Sequence, residues 1–252
     1  MLKKGYIVQR AKIESIKFLT ADQCRIAQSA IYHLKDLWQP HDHNTARATN
    51  AIPHPFYTLG VPSYLGAANH EKETNYYNKA KTLNPMMMKE FRWLYEDISA
   101  ALSNVLGKNV CFTQKLALPG FHIFPTRRGV QYPCVGMHLD LQYKLHNWDS
   151  PNEIDFKNPI SFTVPISLSE NGGGLNVCDR PVGQMMFMND KERQLVFDQE
   201  TRYIPYHLGE LIIHQGLWFH EVAERRNEQS ETDRITLQGH GLFGANSWTL
   251  YW

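Results

Sequence analysis

The sequence predicts a mainly β fold with flanking N-terminal helices, in which the strands form a barrel or a sandwich. From residue 109 onward, apolar and polar residues alternate with the period of two that is typical of strands. The strands are short, and turn signals such as Pro119-Gly120 and the run 171–174 separate them without intervening helices. Before residue 109, two stretches carry apolar residues at helical spacing instead.

The chain has 252 residues, a length at which barrels and sandwiches form one domain with a sizeable core. It contains no linker, internal repeat or low-complexity tract. We therefore expect a single domain over residues 1–252. Residues 1–108 would supply a helical buttress and an irregular covering segment, and residues 109–252 the β core.

The N-terminal third begins with a short strand and its approach within residues 5–19. Thr20 and Gln23 have the spacing of a capping box and start a helix, which Gln39-Pro40 ends. A second helix is predicted to start at Asn84-Pro85, because proline suits the first helical turn, and to run to Gly107. We expect both helices to buttress one outer face of the sheet.

The segment 40–83 is irregular, with several prolines and glycines and many Asn, His and Tyr residues. A loop of this length inside a compact domain is usually functional. Two interpretations stay open: it covers the mouth of the barrel, or it is an ordered surface loop that packs on the helices.

Period-two patterning places a series of strands after the second helix. They are predicted near residues 109–117, 120–126, 133–143, 160–168, 174–179, 184–188, 202–206, 210–214, 219–223 and 233–243. The segment 248–252 is apolar for a chain end, so it either packs on the barrel or forms a dimer contact.

The formal net charge of +1 does not favour nucleic acid or an anionic membrane surface as a partner. No stretch approaches the roughly 18 apolar residues of a membrane helix, and charged residues interrupt the N-terminal region where a signal peptide would need an apolar core. The four cysteines show neither C-x-x-C spacing nor a disulfide framework. We expect a cytoplasmic protein that acts on a small molecule and contacts neither nucleic acid nor membrane.

Three residues with metal-binding side chains stand out. His138 and Asp140 are two apart, so on a strand both side chains would point to the same face. With a distant His220 they make the ligand set of a two-histidine, one-carboxylate facial triad, which holds Fe(II) and leaves coordination positions open. An H-x-D pair alone is a weak signal, but the sequence around His220 makes the combination more specific.

The segment 209–241 is predicted to contain three strands, with His220 opening the second after an aromatic turn. Arg234 opens the third strand and shares a face with Thr236. We expect a hairpin loop over residues 224–233 to pair the second and third strands and so bring His220 and Arg234 together.

His214 and His240 are alternatives to His220 as the third metal ligand. His214 ends the apolar strand before the aromatic turn, and His240 lies on the Arg234 face of the last strand. His220 is favoured because it stands closer to Arg234 in the chain than His214 does, at the spacing that the family resemblance of the next paragraph implies, and that resemblance leaves His240 too far along the chain. His122 and His146 are interpreted as ordinary polar or pocket residues.

The combination of H-x-D, a histidine after a Gly-Glu-apolar run, and an arginine fourteen residues later followed by x-Thr resembles the Fe(II)/2-oxoglutarate-dependent dioxygenase superfamily. The likeness is nearer to the phytanoyl-CoA-hydroxylase-like and small-molecule hydroxylase branches, and it covers roughly residues 110–242. It implies a double-stranded β-helix, a cupin-like jelly roll, with iron at the mouth of the barrel.

The resemblance also implies the roles of individual residues. His138, Asp140 and His220 match the iron ligands and catalytic centre, Arg234 matches the arginine that binds the distal carboxylate of 2-oxoglutarate, and Thr236 matches the hydroxyl residue that assists it. The cofactors and co-substrates would be Fe(II), 2-oxoglutarate and O2. Arg234 suits a carboxylate because its planar fork bonds both oxygens at once.

The implied reaction is hydroxylation of a small molecule, such as an amino acid or a biosynthetic intermediate, with decarboxylation of 2-oxoglutarate to succinate. Desaturation, ring closure or epoxidation would use the same residues. Related iron halogenases have Gly or Ala where this chain has Asp140, so the carboxylate disfavours halogenation. The protein-demethylase branch usually binds 2-oxoglutarate with a lysine on another strand, so Arg234 argues against that branch.

Arg127 and Arg128 follow the predicted strand 120–126 and could bind a substrate carboxylate or phosphate, whereas the other substrate candidates each lie a few residues from a proposed ligand. Lys115 and Thr163, like Thr236, are further candidates for bonding the co-substrate from strands that could face the barrel interior. The substrate candidates are Arg127, Arg128, Gln131, Tyr143 and Trp218.

Two alternatives to a small-molecule hydroxylase stay open. A protein or peptide hydroxylase of the same chemistry would have a long open groove rather than a closed pocket. A cupin-type metal-binding protein without oxygenase activity would hold a metal but leave Arg234 and Thr236 without a task.

Overall fold

The computed structural model describes residues 11–41, 56–66, 70–125, 136–168, 173–223 and 232–252. Its helices are α1 (Ala21–His33), α2 (Ser63–Gly66), α3 (His70–Leu106), α4 (Val182–Met185) and α5 (Asp190–Glu200). Its strands are β1 (Ile13–Lys17), β2 (Gln39–His41), β3 (Phe56–Leu59), β4 (Val110–Phe112), β5 (Gly120–Phe124), β6 (Ile160–Ser167), β7 (Gly174–Cys178), β8 (Thr201–Pro205), β9 (Glu210–Gln215), β10 (His220–Val222), β11 (Arg234–Gly244) and β12 (Ser247–Tyr251). Within these ranges, no helix is both long enough and apolar enough to cross a membrane.

The described strands form two sheets. Nine strands make the large sheet, in the order β1-β9-β6-β11-β5-β3-β2 with β12 joining β11 to β4, and β10-β7-β8 make the small one. The sheets pack on each other through buried Leu175 and Val177 of β7 and Ile212 of β9. Two facing, mainly antiparallel sheets are a jelly roll, so the predicted fold class is confirmed.

The large sheet has one apolar and one polar face because its side chains alternate along each strand. In β6, Ile160, Phe162 and Val164 are buried in the main core, which the sheet shares with α1 and α3. The helices therefore buttress one face of the sheet, as the sequence predicts. The opposite face is the polar interior of the jelly roll, and register places the following residues on it: His122, Ser161, Thr163, His214, Thr236 and Gln238.

The predicted hairpin between the second and third strands of segment 209–241 is wrong. The three strands exist as β9, β10 and β11, but β10 pairs with β7 in the small sheet, whereas β11 pairs with β5, β6 and β12 in the large one. In a jelly roll, consecutive strands cross between the two sheets. His220 and Arg234 therefore lie on opposite sheets, and packing between the sheets rather than strand pairing relates them.

Two predicted strands are also wrong. Around the H-x-D motif, His138 makes a single bridge to His220, and a turn of 3-10 helix follows at residues 142–145. Residues 184–188 contain the end of α4 instead of a strand, and α5 follows from Asp190. The Asn189 cap and the Glu192 partner at the start of α5 form a capping box, a helix signal that the period-two interpretation overlooked.

The second predicted helix starts earlier than expected. Helix α3 begins at His70, contains Pro85 inside and has a kink at Phe91. Asn84 does not cap a helix: its side-chain amide donates to the Leu116 carbonyl at 2.8 Å and accepts from the Leu118 amide at 3.1 Å. Asn84 thus ties the helix to the loop before β5. The N-terminal cap of α1 is as predicted, with Thr20 and Gln23 bonding each other's backbone amides.

The C-terminal segment 248–252 packs on the sheet, which confirms the first of the two alternatives for it. Strand β12 pairs with β11 and β4, and Trp252 beyond it is 1% exposed. A Cβ atom at Gly120 would lie 2.0 Å from the Trp252 ring, so only glycine leaves room there. The main-chain oxygen of Trp252 accepts hydrogen bonds from Ser63 and from Tyr76, the latter at 3.0 Å.

We expect a Trp252→Ala substitution to lower the free energy of unfolding by about 3–5 kcal/mol, because it empties a buried site the size of an indole. Urea denaturation followed by circular dichroism measures the change. Trp248→Ala is the comparison, since Trp248 is only partly buried and should lose less. Equal losses in the two variants would contradict the packing described for Trp252.

Candidate metal centre

The backbone brings the two halves of the candidate metal site together. The His138 amide donates to the His220 carbonyl at 2.9 Å, and the His220 amide donates to the His138 carbonyl at 3.0 Å. Residues paired in this way present their side chains on the same face, and the two ring centroids are 4.6 Å apart. The Asp140 amide donates to the Gly216 carbonyl at 2.9 Å, which fixes the carboxylate beside them.

Among the described residues, His138, Asp140 and His220 form a cluster that could hold a metal ion, with one ligand atom from each within 4.8 Å of the others. The Nε2 atoms of His138 and His220 lie 4.0 and 3.2 Å from Asp140 oxygens. Both Nδ1 atoms bond backbone carbonyls, His138 to Gly136 at 2.9 Å and His220 to Trp218 at 2.8 Å.

These carbonyl bonds determine the tautomer of both imidazoles. A carbonyl oxygen can only accept, so each Nδ1 carries a proton. In the neutral ring, each Nε2 then carries a lone pair, 4.0 Å from an Asp140 oxygen in His138 and 3.2 Å in His220. This is the arrangement by which metal-binding histidines are oriented in proteins. Two imidazole lone pairs and one carboxylate fit the donor set of a two-histidine, one-carboxylate site.

The electrostatics of the site favour a bound cation. Burial by itself raises the pKa of Asp140, but nearby His220 and His240 hold that pKa well below its usual range, so the carboxylate is ionised. Burial lowers the pKa of His220, yet the charge and hydrogen bond of Asp140 outweigh it and raise the pKa. The negative carboxylate at the base of the site would attract a metal ion in the same way.

The alternative ligands His214 and His240 lie beside the cluster but outside it. His214 packs edge-on against His220, with ring centroids 4.5 Å apart. The Nδ1 atom of His240 lies 3.0 Å from the Ser161 hydroxyl and 3.8 Å from an Asp140 oxygen. The geometry therefore supports His220, rather than either neighbour, as the third member of the set.

Arg234 lies buried on the polar face of the large sheet. Its guanidinium carbon lies 5.7 Å from the centre of the Phe124 ring and 5.5 Å from that of Tyr206. A Cβ atom at Gly173 would lie 3.3 Å from this carbon, so glycine leaves room for the guanidinium. Thr236, two residues on, accepts a bond from Gln238 at 3.3 Å. The two candidate co-substrate residues thus share the interior face, as predicted.

The predicted substrate residues are placed as follows. Arg127, Arg128 and Gln131 lie outside the described residues. Tyr143 packs in an apolar cluster, with its ring stacked on Phe156 at 5.7 Å. The Trp218 side chain packs on the small sheet, and its contribution to the site is the carbonyl that orients His220.

Of the residues further proposed to bond the co-substrate, Lys115 does not face the barrel interior and Thr163 does. Lys115 forms a surface ion pair with Asp149 at 2.7 Å, so its assignment to the barrel interior is wrong. Thr163 is buried on the polar face of the large sheet. Tyr206 itself, stacked on Arg234, was not anticipated from the sequence.

Sequence reasoning also missed the groups that hold Asp140. Ser161 donates to one carboxylate oxygen, and Gln142 donates to the other at 3.1 Å. A partial signal existed, because β6 reads Ile-Ser-Phe-Thr-Val and places hydroxyls on alternate positions of a buried strand. Tyr64 was missed as well, and its hydroxyl bonds His122 on the polar face.

Three buried histidines outside the cluster make stability depend on pH. Burial lowers the pKa of His122 and His214 to about 3 and that of His146 to about 4. Below pH ~6.5 the unfolded chain binds protons that the folded protein does not, so stability falls as the pH falls toward these values. Each histidine should contribute a loss of about 2 kcal/mol between pH 7 and pH 5.

We therefore expect the chelator-treated protein to lose stability steeply between pH 7 and pH 5 in urea titrations. His146→Gln tests the part of this stability loss that comes from His146, because glutamine does not titrate. In the unmodified protein the Ser63 hydroxyl lies 2.8 Å from Nε2 of His146, and glutamine keeps a polar atom for this hydroxyl. The variant should lose about 2 kcal/mol less over the same interval. An identical pH dependence in the two proteins would show that His146 is not buried in its neutral form.

Comparison with known proteins supports the fold. No protein-family model matches the sequence, and no curated protein is significantly similar to it. Among solved structures, an N-substituted L-amino acid dioxygenase from Burkholderia ambifaria AMMD in complex with α-ketoglutarate is similar, with a TM-score of 0.53 at 11% identity over 95% of this chain and 85% of that one. The non-heme α-ketoglutarate-dependent epimerase SnoN from nogalamycin biosynthesis has a TM-score of 0.51 at 10% identity over 94% of this chain and 79% of that one. The resemblance inferred from the motifs is thus confirmed at the level of the fold: the chain has the jelly-roll fold of 2-oxoglutarate-dependent non-heme oxygenases.

Proposed function

We propose that this protein is an Fe(II)- and 2-oxoglutarate-dependent oxygenase that oxidises a small molecule. The observation that carries the proposal is the convergence of two Nε2 lone pairs on the Asp140 carboxylate, with both Nδ1 atoms held by backbone carbonyls. Such an arrangement would stabilise a metal ion, and three protein ligands leave positions open for other ligands.

Arg234 extends the proposal from a metal protein to an oxygenase that uses 2-oxoglutarate. Arg234 lies on the interior face with Thr236, and both could bond the distal carboxylate of a dicarboxylic acid. A guanidinium binds a carboxylate through two parallel hydrogen bonds.

Each group in the site has a task in this function. Bound Fe(II), with 2-oxoglutarate and O2, supplies oxidation of a C–H bond coupled to decarboxylation of 2-oxoglutarate to succinate. His138, Asp140 and His220 would hold the metal, and Arg234 with Thr236 would orient the co-substrate.

We infer that the substrate is small, such as an amino acid or a biosynthetic intermediate. The two solved proteins of the same fold are named for reactions on molecules of this kind. Tyr64 and His122 are hydrogen-bonded on the polar face and offer polar groups to such a substrate.

We also propose a one-domain organisation, which the core that α1 and α3 share with the sheet supports. We further propose a cytoplasmic location, which the free cysteines Cys24, Cys111 and Cys178 support.

The test is an anaerobic titration of the metal-free protein with Fe(II) and then with 2-oxoglutarate, followed by visible spectroscopy. We expect a weak charge-transfer band when 2-oxoglutarate chelates the bound iron. Succinate formation on exposure to O2 would extend the result to turnover. Iron binding without the band would overturn the oxygenase proposal and favour the cupin-type metal-binding protein instead.

A further inference from the structure

We propose that Ser161 and His240 are positioning residues that orient the Asp140 carboxylate toward the metal, through a directed chain of two hydrogen bonds. The inference deepens the proposed function and rests on it. Neither residue is a member of the metal-binding cluster, and both lie next to it on the central strands β6 and β11.

The direction of each bond in the chain follows from the chemistry of its partners. The Ser161 hydroxyl donates its proton to the Oδ2 atom of Asp140, because a carboxylate oxygen that binds a metal has no proton to give. The Ser161 oxygen then has no second proton, so it accepts from Nδ1 of His240, 3.0 Å away. His240 therefore carries its proton on Nδ1, and the chain runs from His240 through Ser161 to Asp140.

The hydrogen-bond chain starts from two central strands of the large sheet. Strands β6 and β11 are neighbours in the centre of the large sheet, and Phe162 of β6 pairs with Gly239 of β11. Ser161 and His240 adjoin this pair and are both buried. A side chain on paired central strands holds its position more accurately than one on a loop.

Asp140 itself lies outside the regular strands, so it depends on these contacts for its orientation. Gln142 holds the Oδ1 atom and Ser161 holds Oδ2. Gly216 lies close to this pair, since a Cβ atom there would lie 3.1 Å from the Asp140 Cβ and 3.2 Å from the Ser161 hydroxyl. Two hydrogen bonds therefore hold the carboxylate, and the chain from His240 provides one of them.

Removing the chain should loosen Asp140 and weaken metal binding. We expect Ser161→Ala and His240→Phe to raise the Kd for Co(II), used as a spectroscopic probe, by about 10–100-fold, which is typical for loss of a group that holds a metal ligand. His240→Asn should restore most of the affinity, because its amide nitrogen stands the same number of bonds from the backbone as Nδ1 and can donate to Ser161. The phenylalanine ring can keep the packing of His240 on Tyr251.

The matched control is Ser167→Ala. Ser167 is buried on the same strand and makes two hydrogen bonds, but to Gln28 and to the Asp233 carbonyl instead of to the metal site. Its loss should lower the melting temperature without changing the Kd for Co(II). A general loss of folding would instead weaken Co(II) binding in all variants in proportion to their melting temperatures, and that result would overturn the proposal.

The outcomes separate this inference from the proposed function. If the unmodified protein binds Co(II) and forms the Fe(II)–2-oxoglutarate band while Ser161→Ala and His240→Phe bind Co(II) equally well, the inference fails and the function stands. Failure of His240→Asn to recover affinity above His240→Phe would also count against a role for the Nδ1 donor. A protein that binds neither metal overturns both.

Discussion

A His220→Ala variant is expected to lose metal binding and all succinate formation. His220 is buried, its Nε2 lies 3.2 Å from Asp140, and its Nδ1 is held by the Trp218 carbonyl. Losing a ligand should raise the Kd for Fe(II) or Co(II) by more than about a hundredfold. This exceeds the usual effect of losing a group that only orients a ligand. Anaerobic metal titration and a succinate assay measure the two effects.

His207→Ala is the control for this variant. His207 is exposed in the turn before β9 and bonds Glu210 only through its carbonyl, so its side chain should be dispensable for metal binding. A His220→Ala protein that still bound Co(II) with unchanged affinity would remove His220 from the ligand set. His214, which packs on His220, would then be the next residue to substitute.

An Arg234→Ala variant is expected to bind the metal normally and to lose affinity for 2-oxoglutarate. Each hydrogen bond to a charged group contributes about 1.5–3 kcal/mol, so losing a bidentate pair should raise the Kd for 2-oxoglutarate by about a hundredfold or more. The Kd of Arg234→Lys for 2-oxoglutarate should lie between those of the unmodified protein and of Arg234→Ala, because lysine keeps the charge but not the planar fork. The charge-transfer band, titrated with 2-oxoglutarate at saturating Fe(II), measures the Kd directly.

Arg180→Ala is the matched control for Arg234. Arg180 is partly buried, and it pairs with Glu200 beside the small sheet instead of lying on the interior face. Its loss should affect stability and leave the Kd for 2-oxoglutarate unchanged. Unchanged 2-oxoglutarate binding in Arg234→Ala would contradict the role of Arg234 in binding the 2-oxoglutarate carboxylate. It would favour the alternative of a cupin-type metal-binding protein. Metal affinity serves as an internal check on folding in both variants.

Much of the fold was predictable because strand alternation is a local property of the sequence. Strands β6, β7, β8, β9 and β11 lie within a residue or two of their predicted bounds. The prediction of secondary structure was wrong where residues typical of one local structure have another role in the fold. Asn84-Pro85 looked like a helix start, but the Asn84 side chain bonds the loop before β5, and the helix runs through it.

The candidate site was predictable to the extent that its residues have distinctive chemistry. His138, Asp140 and His220 were chosen from their types and spacing, and the structure brings their ligand atoms within 4.8 Å of one another. Ser161 and Tyr206 were not identified, because buried serine and tyrosine residues are common and nothing in their local sequence marks them. Their significance comes from what they contact, which is Asp140 for Ser161 and Arg234 for Tyr206.

By itself, the sequence determined the class of fold, the members of the candidate metal cluster and the arginine on the interior face, because each depends on residue type and short-range periodicity. Only the tertiary structure decided which sheet each strand joins and which groups surround each ligand. Strand pairing and side-chain packing join residues far apart in the chain, as Ser161 and His240 join Asp140. The choice of His220 over His214 and His240 depends on which ring nitrogen lies within 4.8 Å of the other two ligand atoms, and only the fold sets those distances.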